Sequence, residues 1–479
     1  MAFHQPERDR VRLAVRGAPR WETVATTTPG GRVWLFRGPS QALAWYDEGM
    51  DRRNFLHSSL AVGSSAWLSS RHRVLANEAE RPLAADALVA GKHADLRVVE
   101  SSPMVLESPL ALLAKHRITP KEILFVRNNV DMPATNRLTA THAPDWRVDI
   151  HEWRESADAP PTAPHSITVR ELQSLPQTEV EMVVQCSGNS RSLMSQRAPI
   201  AGTPWNRGAV GNVVFRGVPL AMLFDKLDVR VAPQARYLTA DGNESPTVKS
   251  PSVGRGKPGS REPQDRDPKD FEHSVPLDDA LRQALLVLDM NGEPLPAIHG
   301  GPVRLVVPGY YGTVHIKWLG SLTLTAGESR QASQVPRYRN PLRPVEPGQD
   351  YAFTLTNSRP NWRMNVKSIV FAPDIHARVA AGAVLVHGVA FNDGEFPMES
   401  ILLSWDRGAS WQRAELVPSA GRFAWTWWTS RRVLPAGRHE VWARATDAGG
   451  RTQPLDGHVF WNPGGYEWNG VEKIPFECV

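Results

Sequence analysis

Two cysteines, Cys186 and Cys478, are all the thiols in 479 residues. A disulfide framework is therefore excluded. No Cys-x-x-Cys-His is present to hold a covalent c-type haem, and no His-Pro-Gly-Gly marks a second haem type. No run approaches the ~20 apolar residues that span a bilayer, so no membrane span is expected. An excess of one charge is lacking too. Lys plus Arg is 55 against 50 Asp plus Glu, a net charge of +5, too small at this length to argue for nucleic acid. Arginines gathered into one pocket would matter more, because an anion feels the local field.

What is present is globular: 41% hydrophobic residues and 17 Trp. The 40 Pro and 36 Gly point to many turns and favour β-rich architecture over helical bundles. Single cores stop growing at roughly 250–300 residues, so two domains and a tail are expected.

Residues 50–69 read MDRRNFLHSSLAVGSSAWLS. Arg52 and Arg53 precede Phe55, Leu56 and a short, Ser/Gly-rich apolar stretch, as in a twin-arginine export signal. The competing reading is a surface Arg pair before a buried helix. The export reading makes 50–80 a signal peptide, Met50 the true start and 1–49 an upstream extension. It sends the protein to the periplasm already folded.

The stretch 95–345 mixes patterns. Ile123–Val126 is a short apolar run before a loop, and Val180–Val184 is another that reads as a buried strand leading into Gln185-Cys186. Val303–Val307 and His315–Leu319 read as strands, and 277–288 has helical spacing. Residues 243–270 are Pro-, Gly- and charge-rich, a mobile-loop composition. From 350 to 475, strand candidates at 384–386, 401–403, 423–428 and 439–443 are separated by the turns Asn392–Gly394, Asp406–Gly408 and Ala448–Gly450. That spacing predicts an immunoglobulin-like β-sandwich with a packing or dimerisation role. Cys478, at the extreme C-terminus, is expected to be weakly ordered.

Five places in the first stretch converge. They are Phe125-Val126-Arg127-Asn128-Asn129; Gln185-Cys186-Ser187-Gly188-Asn189-Ser190-Arg191-Ser192; Pro204-Trp205 with Gly208–Asn212; His299–Arg304 with Val307–Gly309 and His315–Leu319; and Tyr338. In order and spacing they resemble the sulfite oxidase family, over about 95–475. The resemblance implies an α+β chain: a mixed α/β molybdopterin-binding catalytic domain (95–345), then an immunoglobulin-like β-sandwich dimerisation domain (350–475).

It also implies roles. Cys186 matches the cysteine that binds molybdenum, and a thiolate is a soft donor suited to such a metal. Arg127, Arg191 and Trp205 match the substrate pocket; guanidinium forks suit an oxyanion. Tyr338 falls 21 residues after Lys317, the family spacing for the active-site tyrosine, whose phenol can relay a proton. Phe125, Val126, Arg127, Asn128, Asn129, His299, Arg304, His315, Ile316 and Lys317 match pterin-site positions, the basic groups suiting the cofactor's phosphate. Taken singly, an arginine is more often a surface ion-pair partner, a tryptophan a core residue and a histidine structural.

Three departures bear on the substrate. Asn129 stands where animal members carry His, Ser190 replaces an Arg, and Gly464 occupies the place of a further pocket Arg. The implied reaction is molybdenum-dependent oxidation of sulfite to sulfate by oxygen-atom transfer. With no haem in the chain, electrons leave to an external carrier such as cytochrome c. Competing readings are a molybdenum reductase of a sulfoxide or other oxyanion, and an exported β-rich binding protein without the metal.

Overall fold

The computed structural model describes residues 89–133, 138, 143–153, 163–244 and 271–479. It also describes the backbone of three antiparallel strands at Glu22–Thr28, Gly31–Arg37 and Leu43–Ala44, within a first unit of residues 1–81. Arg52, Arg53 and the export stretch lie outside the described residues, as do residues 245–270 of the Pro/Gly-rich loop.

The second unit, residues 82–479, carries the rest. Its central sheet is antiparallel, ordered Glu293–Pro294, Leu285–Met290, Val210–Pro219, Thr178–Gln185, with Arg304–Val306 also pairing Leu285–Met290. The register Gln185↔Val210 carries past the strand end, where the Cys186 N–H donates to Ala209 O at 3.0 Å. The strand therefore delivers Cys186 at its tip. A second sheet runs Glu272–Pro276, Tyr237–Gly242, Leu319–Thr325, Arg147–His151, His165–Thr168. Its apolar residues and those of the central sheet pack into one core that includes Trp146, Leu238, Leu286 and Trp318.

Two sequence expectations in this stretch change. The helix covers only Leu277–Gln283, and the run Leu285–Met290 is a strand. The helical spacing crossed a boundary: Leu-Leu-Val-Leu is a continuous apolar run, which suits a strand covered on both faces. His315–Trp318 is not a strand; pairing starts at Leu319. Trp318 sits at φ +47°, and the bonds Trp318 N–H to Gly300 O and Leu305 N–H to Ile316 O fold the segment back over residues 300–305.

The C-terminal stretch is a two-sheet sandwich. One sheet is ordered Lys367–Ala372, Gly382–Phe391, Thr426–Leu434, Glu415–Val417; the other Arg378–Val379, Glu472–Cys478, Gly437–Asp447, Met398–Ser404, Gln412–Arg413. Val386, Val441, Ile474, Phe476 and Trp428 meet between them. Period-2 alternation along Glu472–Cys478 places alternate residues inward. Cys478 is consequently in the core, 1% exposed, rather than at a loose end. The strand expected at 423–428 begins only at Thr426, because Phe423 O is turned away to accept the Val183 N–H of the central sheet.

Candidate active site

A cavity opens at the tip of the strand Thr178–Gln185, and Cys186 is in its wall. Phe125, Arg127, Asn128, Asn129, His299, Arg304, His315, Lys317 and Tyr338 line it too, from four separate parts of the chain. Two residues of the expected set contribute no lining side chain. Val126 is buried in the short pairing with Leu106, and Ile316 is buried in the core.

At one end of the cavity the groups are basic and buried. Arg304 donates to His315 O at 3.2 Å and to His299 O at 3.1 Å. Lys317 Nζ donates to Asn128 Oδ1 at 2.6 Å and to Ile298 O at 2.7 Å. Lys92, which the sequence reading passed over, brings its Nζ to 2.9 Å from His299 Nε2 while donating to Leu124 O. Burial lowers all of these pKa values. Arg304 falls to about 10 and Lys92 to about 7, while Lys317 and His299 drop well below their ordinary values, each pushed further by neighbouring cations. Basic groups that depress one another in this way favour an anion such as a phosphate between them.

His315 supplies an independent feature. Its Nε2 is 3.0 Å from Val307 O, so that nitrogen carries the proton and Nδ1 is left as an acceptor. Nδ1 is buried and has no protein partner, at an imidazole whose pKa burial lowers to about 3. A buried acceptor of this kind suits a ring N–H donor, as on a pterin edge.

The other end carries the thiol, a cation and a phenol. Burial works against the Arg127 charge, but Tyr338, Cys186, Glu100 and Tyr466 outweigh it and raise its pKa. Arg127 also donates to Asn128 O. The Tyr338 hydroxyl donates to Asn129 Oδ1 at 2.6 Å, which fixes the phenol's direction. Tyr338 itself is held at φ +52°, and Ser190, beside Arg191, at φ +72°. Non-glycine residues in the left-handed region persist where surrounding structure overdetermines them, commonly at functional sites.

Arg191 and Trp205 are placed differently from the expectation, since neither side chain lines the cavity. Arg191 is buried, with Nη1 donating to Thr203 O at 2.6 Å and Nη2 to Gly464 O at 3.0 Å. A Cβ at Gly188 would lie 2.8 Å from its Nη2, so only glycine lets this guanidinium pass. Trp205 is fully buried and packs edge-on against Phe125, with ring centroids 6.0 Å apart. Trp205 thus backs a lining residue, and Arg191 stands behind the site, tied to main-chain carbonyls. Trp318, quoted in the motif His315–Leu319 without a role, also lines the cavity, as do Glu244, Phe271 and Thr313, which escaped the sequence reading.

Among the described residues no group of three or more His, Cys, Asp or Glu converges as a metal cluster. A metal at Cys186 would take most of its donors from a bound organic group. The buried thiol, the basic end and the free His315 acceptor fit a phosphate-bearing pterin dithiolene in this cavity.

Comparison with known proteins agrees with this geometry. Residues 139–333 match the family described as oxidoreductase molybdopterin binding domain, and residues 358–472 match the Mo-co oxidoreductase dimerisation domain. The chain is similar to sulfite oxidase of Gallus gallus, 30% identical over 82% of this chain and 80% of that protein. It is similar to the mitochondrial sulfite oxidase of Mus musculus, 28% identical over 84% of this chain and 68% of that one. Among solved structures, the sulfane dehydrogenase SoxCD of Paracoccus pantotrophus superposes with a TM-score of 0.62 at 20% identity, over 85% of this chain and 92% of that one. That last likeness speaks to the fold alone.

Proposed function

The chain belongs to the sulfite oxidase family of molybdopterin-dependent oxidoreductases, and from that premise we propose that it oxidises sulfite to sulfate and passes the electrons to an external cytochrome c. The observation that carries the reading is the juxtaposition, in one cavity, of the buried Cys186 thiol, the Arg127 cation and the Tyr338 phenol. Overall, sulfite gains one oxygen from water and yields sulfate, two protons and two electrons, one for each of two cytochromes.

Cys186, Arg304, Lys317, His299 and His315 would hold the molybdenum-pterin group, the thiol on the metal and the basic residues on the phosphate. When bound, that group supplies oxygen-atom transfer and the two-electron redox change. The remaining work falls to the chain. Arg127 attracts and orients the oxyanion by charge-assisted hydrogen bonds. Tyr338, aimed by Asn129, holds a proton at its phenol oxygen for the developing product. Phe125, backed by Trp205, keeps water from the cavity wall. The dimerisation domain points to a homodimer.

The test is steady-state oxidation of sulfite by the purified holoprotein with ferricytochrome c or ferricyanide. Turnover with sulfite, and none with a sulfoxide as electron acceptor, is expected; the reverse pattern would favour the reductase. Export through Arg52 and Arg53 is part of the same proposal. Replacing both with Lys should leave the precursor in the cytoplasm, and normal export of that variant would refute the route.

A further inference from the structure

The position of Gly464 raises a question of charge: the family pattern places an arginine there, and this chain has none. The loop around it does not withdraw from the site. Gly464 O accepts from Arg191 Nη2 at 3.0 Å. Gly465 then turns at φ +68°, and a Cβ there would lie 2.5 Å from Arg191 Nε, so the chain approaches the guanidinium edge as closely as glycine permits. The turn delivers Tyr466, whose ring centre lies 5.2 Å from the Arg191 guanidinium carbon. The same ring packs against Tyr338 with centroids 5.2 Å apart.

One side chain from the stretch matching the dimerisation domain therefore touches two groups of the site at once. Arg191 Nε is buried with no hydrogen-bond partner. Gly465 closes that edge, so the guanidinium is held in place behind the cavity wall rather than presented to a ligand. The Tyr466 ring presses the guanidinium from one side while Thr203 O and Gly464 O hold its two amino groups. Arg191 has little freedom left.

We propose that Tyr466 is the positioning residue that sets this chain's oxyanion selectivity, its ring holding Arg191 and Tyr338 in register where Gly464 supplies no charge. A cation on an aromatic face and a packed aromatic pair hold geometry without adding positive charge to the pocket. Arg191, fixed behind the wall, anchors Tyr466, and Tyr466 in turn fixes Tyr338 at the cavity beside Arg127, the cation that faces the oxyanion. The inference rests on the sulfite reading for its substrate and on the contacts above for the residue.

The experiment compares Tyr466→Leu and Tyr466→Phe with the wild-type holoprotein. Sulfate affinity is read by calorimetry and sulfite KM and kcat by steady state, with molybdenum, pterin content and Tm as checks. Leu removes both ring contacts and should raise the sulfate Kd and the sulfite KM about tenfold, the order expected for losing a cation–π and an aromatic pair. The effect on kcat should be smaller, with cofactor content unchanged. Phe keeps the ring and should restore the wild-type constants. If Leu leaves Kd and KM unchanged, or if Leu and Phe lose affinity equally alongside cofactor content, Tyr466 is only packing and the proposal is overturned. A wild type that binds sulfate but does not turn over sulfite would refute the sulfite reading, and the calorimetric comparison would still decide the role of Tyr466. A wild type that binds no sulfate, with a sulfite KM unchanged in Tyr466→Leu, overturns the role of Tyr466, while sulfite turnover decides the sulfite reading.

Discussion

Arg127 and Arg191 looked alike as residues in the sequence, yet they do different work. Arg127 faces the cavity and is electrostatically tied to Cys186 and Tyr338, whereas Arg191 is fastened to Thr203 O and Gly464 O behind the wall. Charge-assisted hydrogen bonds to a charged group contribute about 1.5–3 kcal/mol. Arg127→Gln should therefore raise the sulfite KM by about tenfold to a hundredfold with kcat less affected. Steady-state kinetics on the metal-replete variant check this, and an unchanged KM would place the substrate elsewhere. Cys186, Arg127, Tyr338 and the basic set were legible because their spacing is a family pattern. Lys92 and Tyr466 were not, because nothing in Gly91-Lys92-His93 or Gly465-Tyr466-Glu467 distinguishes a residue aimed at a site from one aimed at solvent. Only the fold brings Lys92 to His299, 207 positions away.

Strands were easier to read than the bends between them. Short strand candidates at 384–386, 401–403 and 439–443, regularly separated by turns, announced a sandwich, and they fall inside the strands Gly382–Phe391, Met398–Ser404 and Gly437–Asp447. His315–Trp318 misled because its apolar and polar residues also alternate, while the left-handed Trp318 that breaks the strand leaves no compositional trace. The strand Glu472–Cys478 corrects the view of the C-terminus. Cys478 is packed with Val441, Ile474 and Phe476, so Cys478→Ser buries a hydroxyl among apolar side chains. That costs about 1–3 kcal/mol. The variant should melt several degrees lower while retaining turnover. An unaltered melting curve would mean the strand is not docked, and lost turnover would make Cys478 part of the chemistry.

For the whole molecule, acid tolerance follows from the buried imidazoles. Burial lowers the pKa of His273 to about 4 and of His315 to about 3, while the unfolded chain titrates near the ordinary value of about 6.5. Between those values the unfolded chain binds more protons than the folded one. Stability is therefore complete above about pH 6.5 and is lost as pH falls toward 4, by on the order of 1 kcal/mol per pH unit for each histidine. Tm measured between pH 8 and 4.5 should decline through that window, and a flat profile would show that these rings are not buried neutral. The same scale explains why the second domain looked uninvolved in chemistry. Yet it reaches the site at several places: the turn Gly464–Tyr466 against Arg191 and Tyr338, the Glu467 N–H to Ser187 O, and Lys367 Nζ to Ser190 Oγ, from stretches whose sequence reads as ordinary loop and strand.

If Cys186 holds molybdenum at the site of sulfite oxidation, Cys186→Ser in the holoprotein removes that ligand while leaving the rest of the cavity in place. The basic end of the cavity is untouched by this change, so the variant should fold and retain pterin. A serine oxygen is a harder, poorer ligand than a thiolate. Normal pterin content, loss of nearly all sulfite turnover and no bleaching of the visible spectrum by sulfite are expected. Wild-type turnover in Cys186→Ser would contradict the metal assignment and the functional reading built on it.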